Sequence, residues 1–250
     1  MSEQLSGRMA VVTGASRGLG RAMAIALAQA GAKVAITGRD LVALEATLEA
    51  IGKAGGQAKA YELDITDAGA VDAFARSAWA DLGHVDAVFA NAGINFVRPS
   101  LETTDADMQR LFDANVLGTF RTLRAFGGPM LERGSGKFIT LASDVGLRGV
   151  PEWLAYGVSK AAIVAMTKTL AWEWAPKLTV NAISPGAFAT DMNSHLLAIP
   201  EVKNGLEQAT PLGRVGRVDE IGPLTVFLAG PGSDFMTGQV ICIDGGIQRS

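Results

Sequence analysis

One cysteine, Cys242, stands among 250 residues, so no disulfide can form within the chain. That usage fits a reducing compartment. Histidine is nearly as scarce: His84 and His195 lie far apart, which argues against a metal site. No apolar run approaches the roughly 18 residues that a membrane span needs, and Met1–Ser6 shows no basic-then-apolar leader pattern. Charged residues are 19% of the chain with a net charge of −3 and no basic cluster, a balance that argues against nucleic acid as a partner. Hydrophobic residues, at 48%, are instead abundant enough for a well-buried core. The expectation is a cytoplasmic protein of enzyme size, one domain over residues 1–250.

Short β-branched runs alternate with longer amphipathic stretches. Strands are expected at Met9–Thr13, Lys33–Thr37, Ala58–Glu62, Ala87–Ala90, Lys137–Leu141, Thr179–Ile183 and Val240–Ile243. Helices are expected at Gly18–Ala30, Leu41–Ala54, Ala68–Ala80, Asp105–Glu132, Trp153–Trp174 and Val218–Leu228. Several strands are nearly all apolar, as in parallel sheets covered on both faces. The alternation predicts an α/β chain with one doubly wound, Rossmann-type parallel sheet of about seven strands. Ser184 to Pro211 is the least regular segment and reads as a mobile loop over a substrate.

Two stretches carry chemistry. The first strand runs into Thr13-Gly14-Ala15-Ser16-Arg17-Gly18-Leu19-Gly20 and directly on into a helix. Gly14 permits a tight turn, Gly18 lets backbone approach a pyrophosphate, and Gly20 lets the helix pack close. The helix N-terminus offers free N–H groups and a positive dipole end to phosphates. The second stretch places Tyr156 and Lys160 four residues apart, on one helix face, with Ser143 thirteen residues before the tyrosine. An ammonium beside a phenol is expected to lower its pKa from about 10, giving a proton donor and acceptor usable near neutral pH.

With these residues in order, the chain resembles the short-chain dehydrogenase/reductase family, in its subgroup of about 250 residues. The resemblance spans essentially the whole chain: the Thr13–Gly20 turn, Asp64-Ile65, Asn91-Ala92-Gly93, Asn115, Ser143, Tyr156 with Lys160, and Pro185-Gly186 followed by Thr190. It implies hydride transfer between a nicotinamide and a ketone or secondary alcohol. Tyr156 would exchange the proton, Lys160 would tune it and hold the nicotinamide ribose, Ser143 would donate to the substrate oxygen, and Asn115 would position a water. Gly14, Ser16, Arg17, Gly18, Leu19, Gly20, Arg39, Asp64, Ile65, Asn91, Gly93, Tyr156, Lys160, Pro185, Gly186, Phe188 and Thr190 would meet the cofactor. The resemblance also implies a homotetramer built through the two long central helices and the last strand. Two departures are visible: Ala90 where a second asparagine is common in the family, and a slightly short Ala175–Thr179 turn.

The end of the second strand reads Thr37-Gly38-Arg39-Asp40. An NAD preference calls for a carboxylate where Gly38 stands, whereas Arg39 and Arg17 offer guanidinium groups suited to a 2′-phosphate. NADP(H) is therefore expected, against the alternative that Arg39 is simply solvated and Asp40 caps the next helix. Trp153, Phe96 and Met192 are pocket candidates. Arg148 reads as an exposed loop arginine, with a substrate carboxylate as its alternative partner. His195 reads as a surface position that could touch substrate, Cys242 as a buried small hydrophobe, and Trp172 and Trp174 as packing or subunit contacts. Within the family, Gly38–Asp40, Gly146–Gly149, Ala171–Pro176 and Ala187–Met192 look most like the gluconate 5-dehydrogenase branch, which implies a polyol or sugar acid. The rivals are a 3-oxoacyl-carrier-protein reductase, a longer-chain epimerase or dehydratase type, and a non-catalytic NADPH-binding sensor.

Overall fold

A computed structural model, describing residues 4–248, resolves the alternation into seven strands. They are β1 (Met9–Val12), β2 (Lys33–Gly38), β3 (Gln57–Glu62), β4 (Ala87–Ala90), β5 (Gly136–Leu141), β6 (Leu178–Pro185) and β7 (Val240–Ile243). All pair in parallel, in the order β3-β2-β1-β4-β5-β6-β7. The order reverses between β1 and β4, and such a reversal opens a crevice beyond the carboxyl ends of the two strands.

The helices are α1 (Gly18–Gln29), α2 (Leu41–Lys53), α3 (Ala68–Leu82), α4 (Asp105–Leu111), α5 (Gly118–Arg133), α6 (Leu154–Glu173), α7 (Ser194–Leu197), α8 (Pro200–Ala209) and α9 (Ile221–Ala229). Successive strand residues face opposite layers. Val12, Ile36, Phe89 and Ile139 pack with Met23 and Leu27 of α1, Leu44 of α2 and Leu228 of α9. Val11, Ala35, Val88 and Phe138 pack with Phe74 of α3 and with Leu123, Phe126 and Met130 of α5. Asp40 and Asp67 cap α2 and α3 by accepting from Ala43 N and Ala70 N, each at 3.0 Å.

The Asp105–Glu132 stretch is helical throughout, as expected, with a π turn over Phe112–Leu117 joining α4 to α5. Two expectations need correction. Ser184–Pro211 is less irregular than it reads: β6 runs on to Pro185, and α7 and α8 follow. Cys242 is exposed rather than buried, because β7 is the outermost strand and pairs on one side with β6. The two tryptophans do diverge. Trp174 packs 5.1 Å from the Phe138 ring, while Trp172 is 88% exposed.

Candidate active site

The crevice is a cavity of about 760 Å³ running from the Gly14–Gly20 turn and the end of β2, past Asn91–Gly93, to Ser143, Tyr156 and the loop after β6. At its β1 end, Gly14 and Gly18 hold φ of +68° and +56°, a region that glycine enters at no steric cost. A Cβ on Gly14 would stand 2.8 Å from Ala92 Cα. No side chain caps α1, which leaves its first N–H groups for another acceptor. Gly20 lets α1 approach the ends of β1 and β4 closely, since a Cβ there would strike the Gly14 carbonyl and the Asn91 amide. Asn91 Nδ2 donates to Thr13 O at 2.8 Å and to Gly14 O at 3.0 Å. The Thr13 hydroxyl accepts from Asn91 N and Ala92 N, both at 3.1 Å. Asn91 therefore braces the glycine turn against β4 as well as lining the crevice. Across the turn, Thr190 lies 3.6 Å from where a Gly18 Cβ would stand.

The β2 end is open. Arg17 and Arg39 are exposed at the mouth. The Arg39 side chain is 70% exposed and reaches Asp64 only at 3.9 Å. Asp64 accepts from Thr66 N and Oγ1, and those bonds, followed by Arg39, hold its carboxyl below the ordinary range. Ile65 is buried with its side chain against Gly118, where a Cβ would stand 2.5 Å from Ile65 Cδ1. Pro185 and Gly186 end β6 against β7, with Gly186 N donating to Ile243 O at 3.1 Å. Phe188 is buried, and its ring lies where a Gly216 Cβ would be, so it presents backbone to the crevice.

In the middle, a chain of hydrogen bonds locks the reactive face of α6. Asn115, placed by the π turn, accepts from Ile94 N at 2.8 Å and donates to Ile94 O at 3.0 Å and to Ser159 Oγ at 2.9 Å. Ser159 in turn donates to Tyr156 O at 2.7 Å. Lys160, 5% exposed, donates to Leu141 O at 2.7 Å and sits 5.6 Å from the Tyr156 ring centre. Gly146 makes room for this, since its Cβ would meet Lys160 Cβ at 2.7 Å. The bracing roles of Thr13, Gly146 and Ser159 are not legible in the sequence. Their only signal was adjacency to the motifs.

The electrostatics correct one expectation. Burial pushes the Tyr156 phenol up to about 12, a hydrogen bond from Ser143 opposes this, and the Asp144 carboxylate adds to it. Lys160 is itself pushed down to about 8 by burial. In the free protein desolvation thus dominates and favours the neutral phenol. Arg148 is not a simple exposed arginine. It lines the crevice, and its Nε and Nη2 donate to Asp144 Oδ2 at 3.0 and 2.9 Å. Ser143 Oγ donates to Asp144 Oδ1 at 3.2 Å. Trp153 and Met192 line the crevice, as expected. Phe96 does not and lies under the Arg98 guanidinium. His195 is exposed on α7, outside the lining.

A glycine turn, a switch-point crevice and a Ser–Tyr–Lys group on facing elements make up this site, and the sequence comparisons agree with it. Residues 14–248 match the family model described as enoyl-(acyl carrier protein) reductase. The chain belongs to the short-chain dehydrogenase/reductase family. This short-chain dehydrogenase/reductase is 36% identical to gluconate 5-dehydrogenase of Gluconobacter oxydans, over 98% of this chain and 96% of that one. It is also 36% identical to a 3-oxoacyl-[acyl-carrier-protein] reductase of Synechocystis, over 97% and 98% of the two chains. Among solved structures, a gluconate 5-dehydrogenase from Burkholderia cenocepacia in complex with NADP and tartrate superposes with a TM-score of 0.93. That likeness has 32% identity and covers 98% of this chain and 96% of that one. The protein is thus an oxidoreductase of the kind that acts on CH–OH groups.

Proposed function

We propose that this protein is one catalytic domain, an NADP(H)-dependent oxidoreductase interconverting a ketone and a secondary alcohol. The observation that carries this is the meeting of Ser143, Tyr156 and Lys160 midway along a crevice whose other end is a glycine turn at a helix N-terminus. A dinucleotide fits that crevice. A Cβ would fill the Gly14 cradle, the α1 N-terminus lacks a side-chain cap, and the buried Thr37 Oγ1, at the rim, has no hydrogen-bond partner among the described residues. Gly14, Ser16, Arg17, Gly18, Leu19 and Gly20 would hold the pyrophosphate, Asp64 and Ile65 the adenosine end. Asn91, Gly93, Pro185, Gly186, Phe188 and Thr190 would line the nicotinamide end. Bound there, the nicotinamide supplies or takes the hydride.

The chain's own residues then handle the proton. Tyr156, neutral in the free protein, gives its phenolic proton to the carbonyl oxygen during reduction and recovers it during oxidation. Ser143, turning its one O–H away from Asp144, would donate to the same oxygen, where negative charge develops. Lys160 would hold ribose hydroxyls and support the phenolate as it forms, while Asn115 fixes the segment carrying Ile94 relative to α6. Tyr156→Phe is expected to lower kcat by about 10²–10⁴-fold with NADPH affinity retained. Steady-state absorbance and fluorescence titration check the two halves, and unchanged turnover would overturn the assignment.

Support for NADP(H) comes from Gly38 at the position for a carboxylate and from two exposed guanidiniums, Arg17 and Arg39, beside it. Asp40 does cap α2, but that leaves Arg39 free to turn toward a phosphate. The likeness to gluconate 5-dehydrogenase favours a polyol or sugar acid, while an equal likeness favours a 3-oxoacyl thioester. A silent sensor would have no need of the hydrogen-bonded Asn115–Ser159–Tyr156 chain. The exposed apolar Leu117, Phe120, Leu154 and Val158 around α5 and α6 support assembly as a homotetramer, and the single cysteine suits the cytoplasm. No helix among the described residues is long and apolar enough to cross a membrane. NADPH oxidation followed at the nicotinamide absorbance across a ketone panel, with NADH in parallel, tests the reading.

A further inference from the structure

Beyond Tyr156 the crevice changes character. Its far wall comes from the loop after β5 and from the segment after β6, where Val145, Val150, Trp153, Met192, Leu196 and Leu206 line it. The Trp153 and Tyr156 rings meet edge to face with their centroids 5.5 Å apart, which sets an aromatic surface beside the tyrosine. The charges on this flank cancel each other. Arg148 gives two N–H groups to Asp144, and Asp144 is 5% exposed. Besides Lys160, the lining also carries Arg110 and Asp113, and toward the glycine turn Arg17, Arg39 and Asp64, while Arg121 donates to the carbonyls of both Asp113 and Ile65. Asn193, which also lines this end, has its amide turned to Phe188 O at 3.3 Å. A carboxylate placed here would meet a guanidinium already committed to a buried acid. A polyol would leave several hydroxyls facing alkyl and aromatic groups, and unpaired buried polar groups are costly.

We propose that this end of the site takes an uncharged ketone or secondary alcohol flanked by a bulky apolar ring or chain, and that the Asp144–Arg148 pair turns carboxylate-bearing substrates away. This rests on the oxidoreductase reading and names its substrate class. The pair works by occupancy: Asp144 fills the place on Arg148 that a substrate carboxylate would need. It also gives the site a defined exception, because removing the acid charge frees the guanidinium.

The test is NADPH oxidation with 4-phenylcyclohexanone, 5-ketogluconate and an acetoacetyl thioester, repeated with Asp144→Asn and Leu206→Asp. The parent is expected to show kcat/KM at least about 100-fold higher for the apolar ketone than for the keto acid. Leu206→Asp should raise KM for the apolar ketone by tenfold or more. Asp144→Asn should move the keto-acid to apolar-ketone ratio of kcat/KM upward by about tenfold, a ratio that a general loss of activity would not change. Fastest turnover of 5-ketogluconate or of the thioester would overturn the inference and leave the oxidoreductase reading standing. No oxidation with any ketone would instead count against that reading. Calorimetry on the Tyr156→Phe protein with NADPH then still decides the inference: binding of the apolar ketone and not the keto acid upholds it, and the reverse overturns it. If Leu206→Asp does not fold, Leu196→Asn serves the same comparison.

Discussion

Lys160 is a charge held where the protein disfavours it. Its ammonium is buried with one hydrogen bond to Leu141 O, and its pKa falls from 10.5 to about 8. Below pH 8 the group is charged in folded and unfolded chains alike, so its burial penalty is constant. Between 8 and 10.5 the folded protein sheds the proton first, and the penalty shrinks as pH rises. Lys160→Met is therefore expected to be inactive yet more stable at pH 7, by about 1 kcal/mol or roughly 2–4 °C in Tm, with the gap narrowing above pH 8 in parallel thermal scans. Ketone reduction by the parent should fall as pH rises through about 8, where the ammonium is lost. Gly38 offers a second test at this scale. A Cβ there would approach Ser16 Cβ and Oγ at 3.2 and 3.3 Å, contacts that a flexible serine can relieve. Gly38→Asp should fold and lower kcat/KM for NADPH by about 100-fold, since a carboxylate beside a phosphate is repelled, with NADH affected far less. The reacting residues were legible because their chemistry demands particular types at particular spacings. Their supports, such as Thr13, Gly146 and Ser159, were not, because serine, threonine and glycine serve many roles and only the folded contacts reveal which.

At the level of elements, the π turn between α4 and α5 is what brings Asn115 to Ile94 and Ser159. A π turn of this kind sits inside a continuous helix, which is why 105–132 reads as one helix. Asn115→Ala removes the partner of Ile94 N and one partner of Ser159, a loss of about 1–3 kcal/mol. The expected result is a Tm lower by several degrees with kcat lowered at least tenfold. Wild-type Tm and kcat would mean that the strap is dispensable. The segment after β6 misled in the other direction. Its prolines and mixed polarity hide α7 and α8, whose residues are all exposed or half-buried and carry no strong burial pattern. By contrast, the starts of α2 and α3 are legible in the sequence, because Asp40 and Asp67 stand there as caps.

For the whole molecule, seven parallel strands with one order reversal put every reactive group on a single edge of the sheet. That much followed from the strand–helix alternation, since nearly all-apolar strands must be covered on both faces. The sequence names the two long central helices as an assembly surface but not the side chains left open on them. Leu117, Phe120, Leu154 and Val158 are between 38% and 45% exposed in the isolated chain. If they meet another copy, Phe120→Arg with Val158→Glu should reduce the solution mass seen by light scattering, and an unchanged mass would place the subunit contact elsewhere.

Cys242 gives that question a probe that needs no mutation. It is the one thiol in the chain, and it lies open on the outermost strand. A maleimide added to the native protein can therefore mark only one place, the free margin of β7. Labelling as fast as in the denatured chain would show that margin bare in solution. Labelling that quickens on dilution would show that another subunit covers it, and the protection measured against concentration would give the dissociation constant of that contact.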